Sequence, residues 1–155
     1  MNKRQLNRII GKAQDICARS GGRLTDKRKS VLELLLMSNR PLSAYEICDA
    51  YNGAAEKPMP TMSVYRILDF LETKNLVHKL SSASKYVACS HISCDHEHEV
   101  SQFLICGNCQ SAKEITISGR IIDELDSLMS KAGFALTNSQ LELRCLCNDC
   151  LAGTA

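Results

Sequence analysis

The chain has 155 residues, 45% of them apolar, which is enough for one core or for two small ones. No stretch approaches the ~20 apolar residues of a membrane span, and the basic start lacks the apolar run of a secretory signal, so a membrane or exported protein is not expected. The net charge of +2 conceals an asymmetry: residues 1–88 carry 15 Lys and Arg against 8 Asp and Glu, whereas residues 89–155 carry 4 against 9. Opposite signs imply two domains with different tasks, 1–88 and 89–155 with a hinge at 81–90, the basic one suited to a polyanion. Nine cysteines without an export signal fit the reducing cytoplasm, where metal ligation is commoner than disulfide scaffolding.

In the basic half, Leu6, Ile9, Ile10, Ala13, Ile16 and Cys17 recur at helical spacing until Gly21-Gly22 stops the run. Thr25 reads as the N-cap of a second helix, with Val31, Leu32, Leu35 and Leu36 inward. Ser43 and Glu46 have the spacing of a capping box, which starts a short third helix. "GAAEKPMP" is a connection. Thr61 is then the expected cap of a fourth helix, with Val64, Ile67, Leu68 and Leu71 inward and Asn75 at its end. "LVHKL" and "KYVAC" follow as two strands across a polar turn, "SSAS".

Helices followed by a hairpin give the order of a winged helix-turn-helix, in which the fourth helix enters the major groove. Ser63, Tyr65 and Arg66 on its first turns are the candidate base readers: Arg66 can address guanine O6 and N7, and Tyr65 a thymine methyl. A packing Tyr65 and a solvated Arg66 are the plainer alternatives, and the charge asymmetry favours DNA contact. Arg23, Lys27, Arg28 and Lys29 cluster at the start of the second helix and suit phosphates rather than base edges.

In the acidic half, "VSQFLIC" and "SAKEITI" read as strands. "GRIIDELDSLMSKAG" reads as a helix with Ile121, Ile122, Leu125, Leu128 and Met129 inward. "FALTNSQLELRCLC" alternates, with Leu141, Leu143 and Cys145 on one face. The expectation is an α+β unit of about sixty residues, a helix on a small antiparallel sheet, small enough to benefit from a staple. The staple is present: Cys106-x-x-Cys109 and Cys147-x-x-Cys150 supply four thiolates, the ligand set of a closed, structural zinc site. A reactive redox pair is the weaker reading, because such a motif uses one knuckle beside a helix N-terminus.

Between the halves, residues 89–109 hold four cysteines and three histidines. Candidate ligands beyond the knuckles are His78, Cys89, His91, Cys94, His96, Glu97, His98, Glu99 and Glu114, and a site drawing on them would bridge the two domains. An exposed, non-ligating role is as good a reading for any one loop histidine, and His78 would also serve as an ordinary wing residue. An enzyme is not expected: the zinc deaminase pattern and the HExxH metalloprotease motif are both missing.

"RLTDKR", "SAYEICDAY", "PTMSVYRILDFL", "LVHKL", "YVAC" and the pair "CGNC" and "CNDC" resemble the ferric uptake regulator family along essentially the whole chain. "YRILDFL", "VHKL" and Cys89 are most similar to its zinc-sensing members. The resemblance implies a cytoplasmic homodimeric repressor with an N-terminal winged helix and a C-terminal dimerisation domain, binding palindromic operator DNA and controlling zinc uptake genes. It implies two zinc ions per chain: a structural ion on Cys106, Cys109, Cys147 and Cys150, and a sensing ion on His78, Cys89, His98 (or His96) and Glu114. It also adds Tyr45 to the DNA contacts. Two features depart from the family pattern, a longer loop between Cys89 and Cys106 and Asp26 where a proline is usual. The rivals are an iron- or peroxide-sensing member of the family and a zinc-ribbon interaction module without specific duplex binding.

Overall fold

The structure, a computed structural model, describes residues 1–93 and 101–153. The chain forms two compact units, Met1–Cys94 and Asp95–Ala155.

The first unit contains α1 (Lys3–Arg19), α2 (Asp26–Met37), α3 (Ala44–Ala54), α4 (Thr61–Thr73), β1 (Val77–Leu80) and β2 (Lys85–Ala88). Its core is apolar side chains at helical spacing: Ile10, Ala13 and Cys17 of α1, Val31, Leu32 and Leu35 of α2, Ile47 of α3, and Val64, Leu68 and Leu71 of α4. Cys89 and Ile92, beyond β2, pack into the same core. β1 and β2 pair antiparallel, Val77 opposite Ala88, around a turn in which Ser84 takes a positive φ of 51°. Leu42 bridges Tyr86, so the segment before α3 extends the wing.

Local chemistry sets the helix ends. Ser43 and Glu46 form the expected capping box at α3. Glu46 also meets Arg40 at 3.1 Å and Lys85 of the wing at 3.4 Å. Asn75, with φ 53°, turns the chain out of α4 in the left-handed region that Asn tolerates. Thr25 occupies the N-cap of α2 but makes no side-chain cap bond. The expected cap at Thr61 is corrected: Pro60 is the N-cap of α4, and the Thr61 hydroxyl turns back to Cys48 Sγ at 3.6 Å. The fixed φ of proline suits a helix entry, and the hydroxyl has a partner on α3.

The second unit contains β3 (Ser101–Cys106), β4 (Ala112–Thr116), α5 (Gly119–Lys131), β5 (Glu142–Cys145) and a one-turn α6 (Asn148–Leu151). The strand order is β4-β3-β5. The expected antiparallel sheet is corrected: β4 runs antiparallel to β3, but β5 runs parallel to it, Phe103 beside Glu142 and Cys106 beside Cys145. The chain leaves β4 at the end where β3 begins. α5 and its following segment return it to that same end, so β5 starts beside Phe103 and must run with β3. Gln102, buried in β3, fixes this entry. Its Nε2 donates to Ser139 O at 2.8 Å, its Oε1 accepts from Leu141 N–H, and Phe103 N donates to Leu141 O at 2.9 Å.

The inward stripe expected on α5 is corrected too. No α5 residue is buried; Ile121 and Leu128 are 51% and 62% exposed, as is half of Leu143 on β5. Cys145 is likewise exposed. A unit this small cannot cover both sides of its own apolar elements, and the uncovered side is a surface in the single chain.

Candidate metal centre and nucleic-acid interface

The parallel pairing of β3 and β5 carries both cysteine knuckles to one end of the sheet. Cys106 ends β3 and Cys147 follows β5 by two residues, and the connection is closed by Gly107 N donating to Cys145 O at 2.8 Å. The four sulfurs of Cys106, Cys109, Cys147 and Cys150 lie within 4.8 Å of one another. Cys109 Sγ and Cys147 Sγ are 3.7 Å apart. That separation matches the ~3.8 Å edge of a tetrahedron built on zinc–sulfur bonds of about 2.3 Å, and is far from the ~2.05 Å of a disulfide. Backbone and amide donors face the sulfurs: Cys147 N–H reaches Cys106 Sγ at 3.4 Å, and Asn108 Nδ2 reaches Cys150 Sγ at 3.4 Å.

These donors order the ionisation of the thiols. The Cys147 N–H, with those of Cys109 and Asn108, brings Cys106 down to about 6. Cys109 is lowered, first by the Ser111 hydroxyl. At Cys150 the Asn108 amide lowers the thiol, but burial and the neighbouring Cys147, Cys106 and Cys109 outweigh it and push it up to about 12. Four sulfurs this close resist gathering four negative charges, and a dication at their centre removes that resistance. The cluster therefore fits a closed structural zinc site.

The other ligand candidates fall on three places. In the first unit, Cys89 sits one residue beyond β2, with its N–H donating to Leu76 O at 3.0 Å. His78 pairs with Val87, so His78 and Cys89 project from one face of the hairpin as diagonal neighbours. A ring nitrogen of His78 and the Cys89 sulfur lie within 4.8 Å. Cys89 is 2% exposed, and its sulfur receives the His91 N–H at 3.4 Å, a donor suited to a thiolate. In the second unit, Glu114 stands on β4 opposite Phe103 and accepts a hydrogen bond from the Ser101 hydroxyl. Cys94, His96, Glu97, His98 and Glu99 lie outside the described residues.

The candidate DNA contacts are all in the first unit. Tyr45, in the first turn of α3, is 64% exposed. On α4, Ser63 and Tyr65 are half-buried and Arg66 is exposed; Tyr65 packs partly on the core. Arg23 is exposed. Arg28 is engaged within the fold: its guanidinium lies over the Phe70 ring at 3.5 Å, and Nη1 donates to Arg23 O at 2.6 Å. Gly22 admits this arrangement, because a Cβ there would come within 3.1 Å of the Phe70 ring. No helix among the described residues is long and apolar enough to cross a membrane.

Sequence reasoning did not identify Gln102, Ser101 or the Arg28–Phe70 stack. Gln102 had one usable signal, a polar side chain in the middle of an apolar strand; the other two depend on which distant segments meet and have none.

Fold and site define a class: a winged-helix unit followed by a small unit clamped by four thiolates. The chain belongs to the ferric uptake regulator family, whose sequence profile matches residues 19–144. It is 35% identical over 151 residues to the zinc uptake regulation protein of Escherichia coli, covering 97% of this chain and 86% of that one. A solved zinc uptake regulator complexed with zinc and DNA superposes with a TM-score of 0.82 at 32% identity, covering 96% of each chain. The peroxide operon regulator of Bacillus subtilis is more distant, 27% identical over 145 residues, covering 91% of this chain and 92% of that one.

Proposed function

We propose that this chain is a zinc-responsive transcriptional repressor of the cytoplasm, a homodimer that binds palindromic operator DNA when zinc fills a sensor site and so controls zinc uptake genes. The observation that carries the reading is the pairing of His78 with the buried Cys89 sulfur on one face of the hairpin. A thiolate beside an imidazole selects zinc over iron(II) or manganese(II) by ligand softness. The similarity to zinc uptake regulators supports the same choice over an iron or peroxide sensor.

In this reading each chain holds two zinc ions. One is structural, on Cys106, Cys109, Cys147 and Cys150. The other is regulatory, on His78, Cys89 and Glu114, with His98, or His96 in its place, as the fourth ligand. Ligands drawn from both units mean that the metal restricts one relative to the other. In a dimer this fixes the two α4 helices about one helical turn of DNA apart, or a multiple of it. Zinc must then favour the DNA-competent arrangement, and by linkage operator DNA tightens zinc binding. The exposed apolar residues of α5 and β5, Ile121, Leu128 and Leu143, supply a dimerisation surface. Arg66, Tyr65, Ser63 and Tyr45 read the operator, while Arg23 and Arg28 serve its phosphates.

The test is selection of duplexes from a randomised DNA pool, with the four-cysteine site kept filled and free zinc buffered low or high. A palindrome enriched only at high zinc is the expected result. Enrichment indifferent to zinc, or responding to iron(II) instead, would overturn the reading.

A further inference from the structure

Cys48 and Asn52 stand one turn apart on the same face of α3, and together they grip the segment that enters α4. Asn52 holds Met59 by both backbone groups: Nδ2 donates to Met59 O at 3.0 Å, and Met59 N–H donates to Oδ1 at 2.8 Å. Cys48 Sγ lies 3.4 Å from the same carbonyl oxygen and receives the Thr61 hydroxyl at 3.6 Å. Met59 is 3% exposed, so without Asn52 its N–H would be buried without a partner and its carbonyl would keep only the weak Cys48 thiol donor. Pro60 follows with φ −67°, which its ring enforces. The helix therefore starts where Met59 is held.

We propose that Asn52 is a positioning residue for operator reading: it sets where α4 begins, and hence where Ser63, Tyr65 and Arg66 stand. This role rests on α4 being the recognition helix. Beyond its first turn, the buried residues of α4 are the apolar Val64, Ile67, Leu68 and Leu71, and near its far end Phe70 lies under the Arg28 guanidinium. Apolar packing is non-directional and tolerates small slides along a helix axis. The Asn52 bonds are directional and lie at the end that carries the base readers. The side chain that caps no helix of its own thus does for α4 what the missing N-terminal cap does elsewhere: it fixes the first turn.

The experiment compares two duplexes of equal length at saturating zinc: one enriched by the wild-type protein from a randomised pool, and one of unrelated sequence. Asn52→Leu keeps the side-chain shape and loses both bonds. Its affinity for the enriched duplex should fall about ten-fold or more, while affinity for the unrelated duplex and the salt dependence of both stay as in the wild type, because phosphate charge carries them. Asn52→Asp still accepts from Met59 N–H but cannot donate to Met59 O, and should show an intermediate loss of discrimination. Zinc content and thermal unfolding establish that each variant is folded; if the Leu variant is not, the Asp variant decides by the same ratio. An unchanged ratio of the two affinities, with only the unfolding midpoint lowered, would overturn the proposal and leave Asn52 a structural residue. If the wild type enriches no duplex, the functional reading falls instead, and this role with it.

Discussion

Cys106 and Cys145 are side-by-side neighbours in parallel strands. This one relationship decides whether the four-cysteine centre exists. Had β5 run antiparallel to β3 over the same residues, Cys145 would lie beside Phe103 and Cys147 near Ser101, and five steps of about 3.3 Å would separate Cys147 from Cys106 by roughly 16 Å. Parallel pairing is uncommon in so small a sheet, because it needs a long crossover. Here α5 and the segment after it provide that crossover.

Removing one knuckle ligand should therefore undo the unit rather than tune it. Cys147→Ser leaves three thiolates and an N-cap residue at α6. The expected outcome is loss of the tightly held zinc and of dimerisation, since metal binding contributes directly to folding in a unit this small. Metal analysis after mild chelation and sedimentation of the same sample check it. Retention of a tightly held zinc by the variant would assign the structural ion elsewhere.

Gln102 holds the chain at the entry to β5, and Gln102→Leu orphans Ser139 C=O and Leu141 N–H. A loss of about 1–3 kcal/mol in the stability of the zinc-loaded protein is expected, the usual cost of a buried backbone group without a partner. Denaturant unfolding at fixed free zinc measures this. The associated outcome is faster zinc loss to a chelator, because the parallel strand carrying the second knuckle is less firmly placed.

Ser101 and Glu114 offer a test of the proposed sensor centre. The hydroxyl orients the carboxylate, and partners that orient metal ligands commonly contribute 10–100-fold in affinity. Ser101→Ala should weaken the second, exchangeable zinc about ten-fold in a chelator competition while the four-cysteine zinc stays. In a Glu114→Ala background the same change should have no further effect. Cys89→Ser should abolish the zinc response of DNA binding with the fold retained. Unfolding of that variant would instead assign Cys89, which lies in the core of the first unit, to structure alone.

The wing should loosen in acid by a predictable route. Glu46 is held below the usual carboxylate range, first by the Ser43 N–H and then, against partial burial, by the Ser43 hydroxyl and Lys85. A depressed folded value means that this stabilisation is complete above the ordinary carboxylate pKa of 4.5 and is lost as pH falls through the folded value. Glu46→Gln keeps an acceptor for Ser43 and carries no charge. Its thermal midpoint should fall less steeply than the wild type's as pH drops below about 4.5. Parallel curves between pH 3 and 7 would remove Glu46 from the acid response.

The first unit was legible because its signals are local. The capping box at Ser43 and Glu46, the helical spacing of Val31, Leu32 and Leu35, and the short run "LVHKL" before the polar turn "SSAS" each fix an element from neighbours in sequence. Thr61 misled for the same reason: a threonine before an apolar run looks like a cap, but Cys48, thirteen residues earlier, takes its hydroxyl. On α5 the periodicity identified a helix with a single apolar stripe. Periodicity cannot say whether such a stripe faces the chain's own core or another surface, and Ile121 and Leu128 remain exposed.

By itself the sequence determined the winged helix and the identity of the four knuckle thiols, because cysteine spacing and capping chemistry are written locally. Only the tertiary structure decided the direction of β5, the grip of Asn52 on Met59 and the approach of His78 to Cys89. Each of these depends on where a distant segment crosses, and strand direction leaves no mark in the alternation of a strand: the period of two is the same in both directions.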